Sequence, residues 1–253
     1  DKLEKGKLEI TNETTKMNEF LPRTWETLSE MIKNKRMNGF MMINRKVPER
    51  LVIDKEKLFQ VLLNLTSNSI KFTEVGSIYF LVDWEYAGEH DSTAQGSKVK
   101  TLTNSEKTTL QLTLDEDTLQ ESILSVQRPM FKDPKFSKAL PSHSFRLDFN
   151  KTALDEIEQL STDHVEGESG YLKISVVDTG CGIREEDFEK LFKKYSNLSC
   201  GASSKRRGTG IGLWITNEIV QLMQGEMSVR SNRGAGAVFE VKIKANTGEL
   251  HRK

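Results

Sequence analysis

A carboxylate at a glycine-rich turn is the first feature of the chain that could do chemistry. Asp178 ends an apolar, strand-like run and is followed closely by Gly180 and Gly182. A carboxylate held there can accept a hydrogen bond from an exocyclic amine and so select adenine over guanine. An isolated aspartate at such a turn often bonds only its own backbone. Aspartic proteases share the Asp-Thr-Gly sequence, but they need two such loops and this chain has one.

A second glycine-rich segment runs Gly208-Thr209-Gly210-Ile211-Gly212-Leu213. Glycines at alternate positions let the backbone approach a phosphate, and a helix that begins there directs unpaired N–H groups at the same place. A flexible linker into a buried helix would show the same spacing. The segment is not a P-loop, because no Gly-Lys-Ser/Thr occurs, and it lacks the preceding strand of a dinucleotide fingerprint.

A helix far upstream presents two asparagines and a lysine. Asp54 is a plausible N-cap, and an apolar stripe predicts a helix from there to about Phe72. Asn64, Asn68 and Lys71 recur on a different face, at steps of four and three. A solvated polar face explains that spacing equally well by itself. Amide oxygens are suitable Mg²⁺ ligands, so the helix and the two glycine segments together favour a nucleotide site.

Composition narrows the class of protein. The 253 residues include 37 Lys and Arg against 37 Asp and Glu, and this balance argues against a general nucleic-acid binder. Cys181 and Cys200 have neither metal-ligand spacing nor the look of a disulfide framework, so a reducing compartment is expected. No apolar run approaches the ~20 residues that span a bilayer. The start at Asp1, without Met, suggests a fragment of a longer protein.

A long acidic segment separates two predicted strands, 77–86 and 171–177, that would pair as a hairpin. Residues 87–169 hold 15 acidic and 9 basic side chains and no sustained apolar period. A loop without catalytic role is favoured over a regulatory docking element, because long loops are tolerated at little cost. Within the segment, a short helix is expected over 150–160, and Phe131, Phe136, Phe145 and Phe149 could pack against the domain. The other predicted elements are helices over 17–38, 187–194 and 211–224 and strands over 40–43, 51–53, 227–230 and 238–243.

Five segments resemble, in order and spacing, the boxes of the ATP-binding catalytic domain of sensor histidine kinases, within the Bergerat-fold (GHKL) ATPase superfamily. They are 62–73 (the N box), 178–183 (the first glycine box), Leu191-Phe192, 208–213 (the second glycine box) and 234–236, a closing glycine turn. After that turn, Ala237 stands where a Thr is usual. Residues 3–8 also resemble the exit from the dimerisation hairpin of hybrid kinases.

The resemblance implies an α+β fold, a two-layer α/β sandwich in which a mixed β-sheet packs against three helices and a long hairpin insertion interrupts the sheet. The expected organisation is 1–15 as the end of the dimerisation hairpin or a linker, 16–245 as the catalytic domain with the 87–169 insertion, and 246–253 as a polar tail. The insertion should leave from the hairpin end opposite Asp178 and so should not block ATP.

The resemblance also implies roles for individual residues. Asn68 would ligate Mg²⁺, with Asn64 as a second polar contact and Lys71 paired with a phosphate; these three would form the catalytic set. Asp178 would bind the adenine amine, with Gly182 placing the backbone against the base. The remaining residues expected to bind ATP, some beneath a basic lid at 193–207, are Phe72, Gly180, Ile183, Phe192, Gly208, Thr209, Gly210, Ile211, Gly212 and Leu213.

The implied function is donation of the ATP γ-phosphoryl group to a histidine on a separate phosphoacceptor domain, and then to an aspartate on a receiver domain. None of the four histidines lies in a phosphoacceptor motif, so this chain alone should not autophosphorylate. The alternatives are a non-catalytic ATP-binding regulatory module and an ATP-hydrolysing relative. A homodimeric full-length protein, a cytoplasmic location for this portion and no nucleic-acid partner are expected.

Overall fold

The computed structural model describes residues 9–87, 144–147, 160, 165–195 and 210–248. Several sequence-based expectations lie outside these ranges: the hairpin exit at 3–8, the helix at 150–160, the side chains of the four insertion phenylalanines, the basic part of the lid, and Gly208 and Thr209.

The chain forms one eight-stranded sheet with three α-helices in its described part. The strands are β1 (Glu13–Lys16), β2 (Asn38–Asn44), β3 (Arg50–Ile53), β4 (Ser77–Tyr86), β5 (Ser144–Leu147), β6 (Ser169–Asp178), β7 (Glu226–Asn232) and β8 (Gly236–Thr247). The helices are α1 (Met17–Asn34), α2 (Lys55–Phe72) and α3 (Gly212–Leu222), with a 3₁₀ helix at Glu185–Lys190. The strand order is β1-β3-β8-β6-β4-β2-β5, and β7 also pairs with β8.

The predicted α+β fold is confirmed. β2 and β4 pair in parallel while the other described pairs are antiparallel, so the sheet is mixed. One buried cluster joins apolar side chains of all three helices to one face of the sheet, which makes the two layers. Burial of such a continuous apolar surface is the main stabilising contribution to a domain of this size.

α2 begins and ends as its sequence predicts. The Asp54 carboxylate caps it by accepting a 2.9 Å hydrogen bond from the Lys57 amide. Leu58, Leu62 and Leu65 of the apolar stripe are fully buried against the sheet. Their burial fixes the rotation of the helix, and therefore decides which side chains its other face presents.

The central ladder places Asp178 at one end of the sheet. Ile78 of β4 and Ala237 of β8 are its neighbours across the two flanking strands. Tyr86 pairs with Gly170 at the far end of the same hairpin. The insertion therefore leaves from the end opposite Asp178, which confirms that prediction.

Two strands were not predicted. β1 lies within the expected linker, and β5 lies within the acidic segment that was interpreted as a loop. β5 pairs antiparallel with β2, from Met41↔Leu147 to Asn44↔Ser144, and so extends the sheet beyond β2. Leu160 from the same segment is 2% exposed in the main core. A four-residue strand is stabilised mainly by the strands it pairs with and not by its own residues. The local sequence pattern therefore does not predict such strands.

No helix among the described residues has the length and apolarity needed to cross a membrane.

Candidate nucleotide-binding site

Asp178 is a buried carboxylate with defined partners. It is 4% exposed, and its Oδ1 accepts a 2.9 Å hydrogen bond from the Gly180 amide while its Oδ2 accepts a 3.3 Å bond from the Ser69 hydroxyl. Burial raises its pKa from 3.8 to about 6, although the bond from Gly180 opposes that shift. The bond from the Gly180 amide shows that Asp178 caps the turn it begins, as an isolated aspartate at such a turn would. The Ala237 amide and the Thr73 hydroxyl also hydrogen-bond the carboxylate and oppose the rise in its pKa.

Three hydrogen bonds fix the turn that follows Asp178. The Cys181 amide donates to the Phe72 carbonyl at the end of α2 (3.1 Å), and the Gly234 amide donates to the Cys181 carbonyl (2.7 Å). The Ile183 amide donates to the Ser231 hydroxyl at 2.9 Å. The first glycine box is therefore anchored to α2 and to the β7–β8 turn at once.

Two glycines in this region have no room for a side chain. A Cβ on Gly180 would lie 2.5 Å from the Phe72 carbonyl oxygen and 2.8 Å from Asp178 Oδ1. Gly236, at the closing glycine turn, packs directly on the Asp178 carbonyl. Gly182 has a φ of +67°, a conformation that glycine adopts without strain. The glycine spacing recognised in the sequence thus follows from close backbone packing around the carboxylate.

Asn64 holds two helices together. Its Nδ2 donates to the Gly212 carbonyl (2.6 Å) and to the Thr216 hydroxyl (2.5 Å), so it joins α2 to the first turn of α3. Thr216 is fully buried and also donates to the Gly212 carbonyl, at 3.0 Å. Because the amide nitrogen of Asn64 already bonds two groups of α3, only its amide oxygen remains for a ligand.

Asn68, one turn further along α2, differs from Asn64. Its amide nitrogen is buried and has no hydrogen-bond partner among the described residues. Amide nitrogen and oxygen positions are interchangeable assignments, so this side chain can turn either atom towards a ligand. A buried amide without a partner costs stability that a ligand would recover.

These residues fit the Mg²⁺ that the resemblance implies. The described residues include no group of three or more His, Cys, Asp or Glu that could hold a metal ion alone. Magnesium is usually held by one or two protein oxygens together with substrate phosphates, not by an all-protein cage. With its amide turned so that the oxygen faces the ligand, Asn68 would supply one such oxygen. The remaining ligands would have to come with the nucleotide.

Lys71 and Phe72 are the last two residues of α2, beyond Asn64 and Asn68. The Lys71 ammonium lies 4.8 Å from the centroid of the Phe72 ring, and burial lowers the pKa of Lys71. A half-buried cation without full hydration is well suited to a phosphate, because its charge is less screened than on an open surface.

The remaining predicted residues lie around the start of α3, in the first glycine box or just beyond the 3₁₀ helix. Gly210 has a φ of +67°, and Ile211 and Gly212 lead into α3 with partial exposure. Leu213 and Ile183 pack against the main core. Phe192 is half-buried. The structure thus gathers Asp178, Gly180 and Phe72 at one place and Asn64 and Gly212 at another, with α2 common to both.

Sequence reasoning missed three hydroxyl residues. Ser69 carried a signal, because it was the one polar member of the apolar stripe of α2. Thr216 and Ser231 carried none, since their partners Asn64 and Ile183 are remote along the chain. Pairings of this kind depend on the fold and not on local pattern.

The cysteines also differ from expectation. Cys181 is disulfide-bonded, whereas the sequence led us to expect reduced thiols. The only other cysteine, Cys200, lies outside the described residues. Two cysteines without a recognisable spacing gave no basis for predicting a bond.

Comparisons with known proteins find similarity to histidine kinases. Residues 148–247 match the family model described as histidine kinase-, DNA gyrase B-, and HSP90-like ATPase. The chain is 25% identical over 239 residues to probable histidine kinase 5 of Oryza sativa subsp. japonica, and 27% identical over 238 residues to histidine kinase 2 of Arabidopsis thaliana. Each alignment covers 94% of this chain but 18% of the relative, so the chain spans under a fifth of their length.

The fold matches a solved structure, that of full-length ShkA in complex with AMPPNP. The TM-score is 0.56 at 16% identity, and the match covers 98% of this chain and 34% of that one.

Proposed function

We propose that the chain is the catalytic domain of a two-component sensor histidine kinase, because residues 148–247 match the histidine kinase-, DNA gyrase B-, and HSP90-like ATPase family model. It binds ATP with Mg²⁺ and donates the γ-phosphoryl group to a histidine on a separate domain. The observation that carries the proposal is the buried Asp178 carboxylate, held against α2 by Ser69 and against its own turn by Gly180.

Asp178 selects the base. A carboxylate accepts hydrogen bonds, so it suits the exocyclic amine of adenine and is opposed by the oxygen that guanine carries at the equivalent position. The low-polarity surroundings strengthen this bond relative to water. Packing around Gly180 and Gly236 fixes the carboxylate, so little ordering is required when the base arrives.

α2 and the start of α3 receive the phosphates. The first N–H groups of α3 and the positive end of its dipole attract anions. Lys71 adds a cation, and Asn68 would hold Mg²⁺ against the phosphate oxygens. The metal would neutralise charge on the phosphates, and the residues of the chain would keep the γ-phosphoryl group positioned.

Asn64 favours transfer over hydrolysis. ATP hydrolysis needs a group that accepts a proton from water, and an amide has no basic lone pair at neutral pH. The amide nitrogen of Asn64 is moreover occupied by Gly212 and Thr216. We therefore expect slow hydrolysis, with the phosphoryl group retained for an acceptor histidine and then a receiver-domain aspartate. Those domains, dimerisation through them and a cytoplasmic site of action are parts of the same proposal.

The test starts with calorimetric titration of the protein with ATP and Mg²⁺, with GTP as the competing base. We expect ATP to bind and GTP not to bind, and Asp178→Asn to lose about 100-fold in ATP affinity, since an amide nitrogen would face the ligand amine. Asp54→Asn is the matched control. It changes another buried aspartate, 5% exposed, whose N-cap bond an asparagine can also make.

Transfer is then measured with γ-labelled ATP and an added phosphoacceptor domain. Label on the histidine of that domain, with slow phosphate release in its absence, is the expected result. Binding without transfer would favour a regulatory module, and rapid phosphate release would favour an ATP-hydrolysing relative. Equal binding of ATP and GTP would contradict the role of Asp178.

A further inference from the structure

Thr216 uses both functions of its hydroxyl. It is fully buried one turn into α3, and its Oγ1 donates to the Gly212 carbonyl at 3.0 Å, a back-bond that helical threonines can make. A hydroxyl carries one proton, so the oxygen can only accept once this bond is formed. It accepts from the Asn64 amide nitrogen at 2.5 Å. Thr216 therefore offers α2 an acceptor whose direction is fixed by α3.

The Asn64 amide meets two acceptors at the start of α3. The Gly212 carbonyl is the second, 2.6 Å from the amide nitrogen. The nitrogen and oxygen of an amide are assigned from their hydrogen bonds, and these two acceptors permit one assignment, because an oxygen turned towards them would meet two other oxygens. The Asn64 oxygen lies instead beside Gly212 itself, 2.8 Å from the place that a Cβ on this glycine would take. It is therefore held next to the second glycine box.

Asn68, one turn further along α2, shows how an asparagine behaves without such a neighbour. Its amide nitrogen is buried and has no hydrogen-bond partner among the described residues. Either of its two polar atoms can therefore face a ligand. Because both asparagines lie on the same helix, α2 alone does not fix the orientation of Asn64. That orientation comes from α3, through Thr216 and Gly212.

We infer that Thr216 is a positioning residue for the proposed phosphoryl transfer, and that it acts through Asn64. The inference rests on the proposed function, since it assumes that the phosphates bind at the start of α3. Thr216 accepts one of the two N–H groups of Asn64 and so keeps the amide oxygen turned towards the phosphate end. Loss of this acceptor leaves that N–H group unpaired at the helix contact, which favours rotation of the amide out of its orientation.

The first measurement needs no nucleotide. The two side-chain amide protons of Asn64, identified by their loss in Asn64→Ala, are observed by NMR in wild type and in Thr216→Val, which keeps the side-chain shape and removes the hydroxyl. We expect the signal of one proton to move upfield in Thr216→Val, because that proton loses its acceptor, and to return in Thr216→Ser. Unchanged signals in Thr216→Val would overturn the inference.

The second measurement is a double-mutant cycle on the rate of phosphoryl transfer to an added phosphoacceptor domain, at saturating ATP and Mg²⁺. Thr216→Val should lower this rate about tenfold, the order of magnitude typical of a group that orients a ligand-contacting side chain, and Thr216→Ser should restore it. In the Asn64→Ala background, Thr216→Val should have no further effect, because the amide that it orients is gone. A slowing by the same factor in both backgrounds would overturn the inference and leave Thr216 a purely structural residue.

Thr66→Val is the matched control for both measurements. Thr66 is also fully buried, and its hydroxyl makes the same kind of back-bond, to the Leu62 carbonyl at 2.7 Å. The control should change neither the Asn64 signals nor the transfer rate. If Thr216→Val melts early, Thr216→Ala and Thr216→Ser are compared at a lower temperature in the same cycle. Failure of wild type to bind ATP or to transfer phosphate would instead refute the proposed function, so the two failures are distinguishable.

Discussion

The proposed adenine end and the proposed phosphate end of the site are built in different ways. At the adenine end, Asp178 is bonded to Ser69 and Gly180, and the turn is tied to α2 and to the β7–β8 turn. At the phosphate end, Asn68 has an amide nitrogen without a partner in the described part of the chain. If the proposed site is right, the sheet pre-forms the pocket for the base, whereas the bound nucleotide completes the phosphate side. A pre-formed pocket lowers the ordering cost of binding.

The largest expected effect lies at the phosphate end. Asn68→Ala should reduce phosphoryl transfer to an added acceptor domain by at least about 100-fold, because electrostatic positioning supplies most of the catalysis in this chemistry. The melting temperature without nucleotide should not fall, since the amide nitrogen makes no bond that the mutation could remove. Adenosine affinity should also be unchanged. A large drop in melting temperature would show that Asn68 has a structural role. The phosphate end would then be pre-formed like the adenine end, which contradicts the comparison.

A pair of glycine substitutions compares the rigidity of the two ends. Gly180→Ala forces a Cβ against the Phe72 carbonyl oxygen at 2.5 Å, which is backbone, and should cost about 2–3 kcal/mol in the free energy of unfolding. Gly212→Ala meets the Asn64 side chain at 2.8 Å. A side chain can move, so about 1 kcal/mol is expected there. Urea denaturation of both variants measures the difference, and equal costs would contradict it.

The pH dependence of adenosine binding belongs to the adenine end alone. The pKa of Asp178 is about 6 in the folded protein against 3.8 ordinarily, so the carboxyl takes up a proton as the pH falls below about 6. A protonated carboxyl is a poorer acceptor, and affinity should fall up to about tenfold per pH unit below that value. Adenosine is the probe because it has no phosphate to titrate. Asp178→Asn should show no such dependence.

The same shift has a consequence for stability. Between pH 3.8 and about 6 the folded state binds more protons than the unfolded state, so the nucleotide-free protein should lose stability as the pH rises through that window. Stability that rises over this range in wild type, relative to Asp178→Asn, would contradict the assignment.

The smallest expected effect on affinity comes from the insertion. Deleting 90–165 should change ATP affinity by less than about twofold, because the insertion leaves from the sheet end opposite Asp178. The deletion also removes β5 and the buried Leu160, so unfolding should become easier by at least about 2 kcal/mol. Replacing only 90–143 with a short linker keeps both features and is the matched control. A loss of affinity in both variants would show that the insertion reaches the site.

The sequence predicted the parts of this molecule that depend on local pattern. The stripe of α2, the β4–β6 hairpin and the glycine turns each follow from residues close together in the chain, and the structure confirms them. The role of Asn64 was not predictable, because Gly212 and Thr216 lie 148 and 152 residues away. β5 was missed for the same reason, since a four-residue strand is defined by its neighbour β2.

The hairpin insertion divides the site between two stretches of chain. Asn64, Asn68 and Lys71 precede it, while Asp178 and Gly212 follow it. A cut within the insertion would produce two pieces, each with half of the site, joined through the β4–β6 ladder that runs from Ile78↔Asp178 to Tyr86↔Gly170. A nucleotide that touches both pieces would favour their association by mass action. Cut in this way, the domain would become a two-piece complex, and the proposed nucleotide would control its assembly.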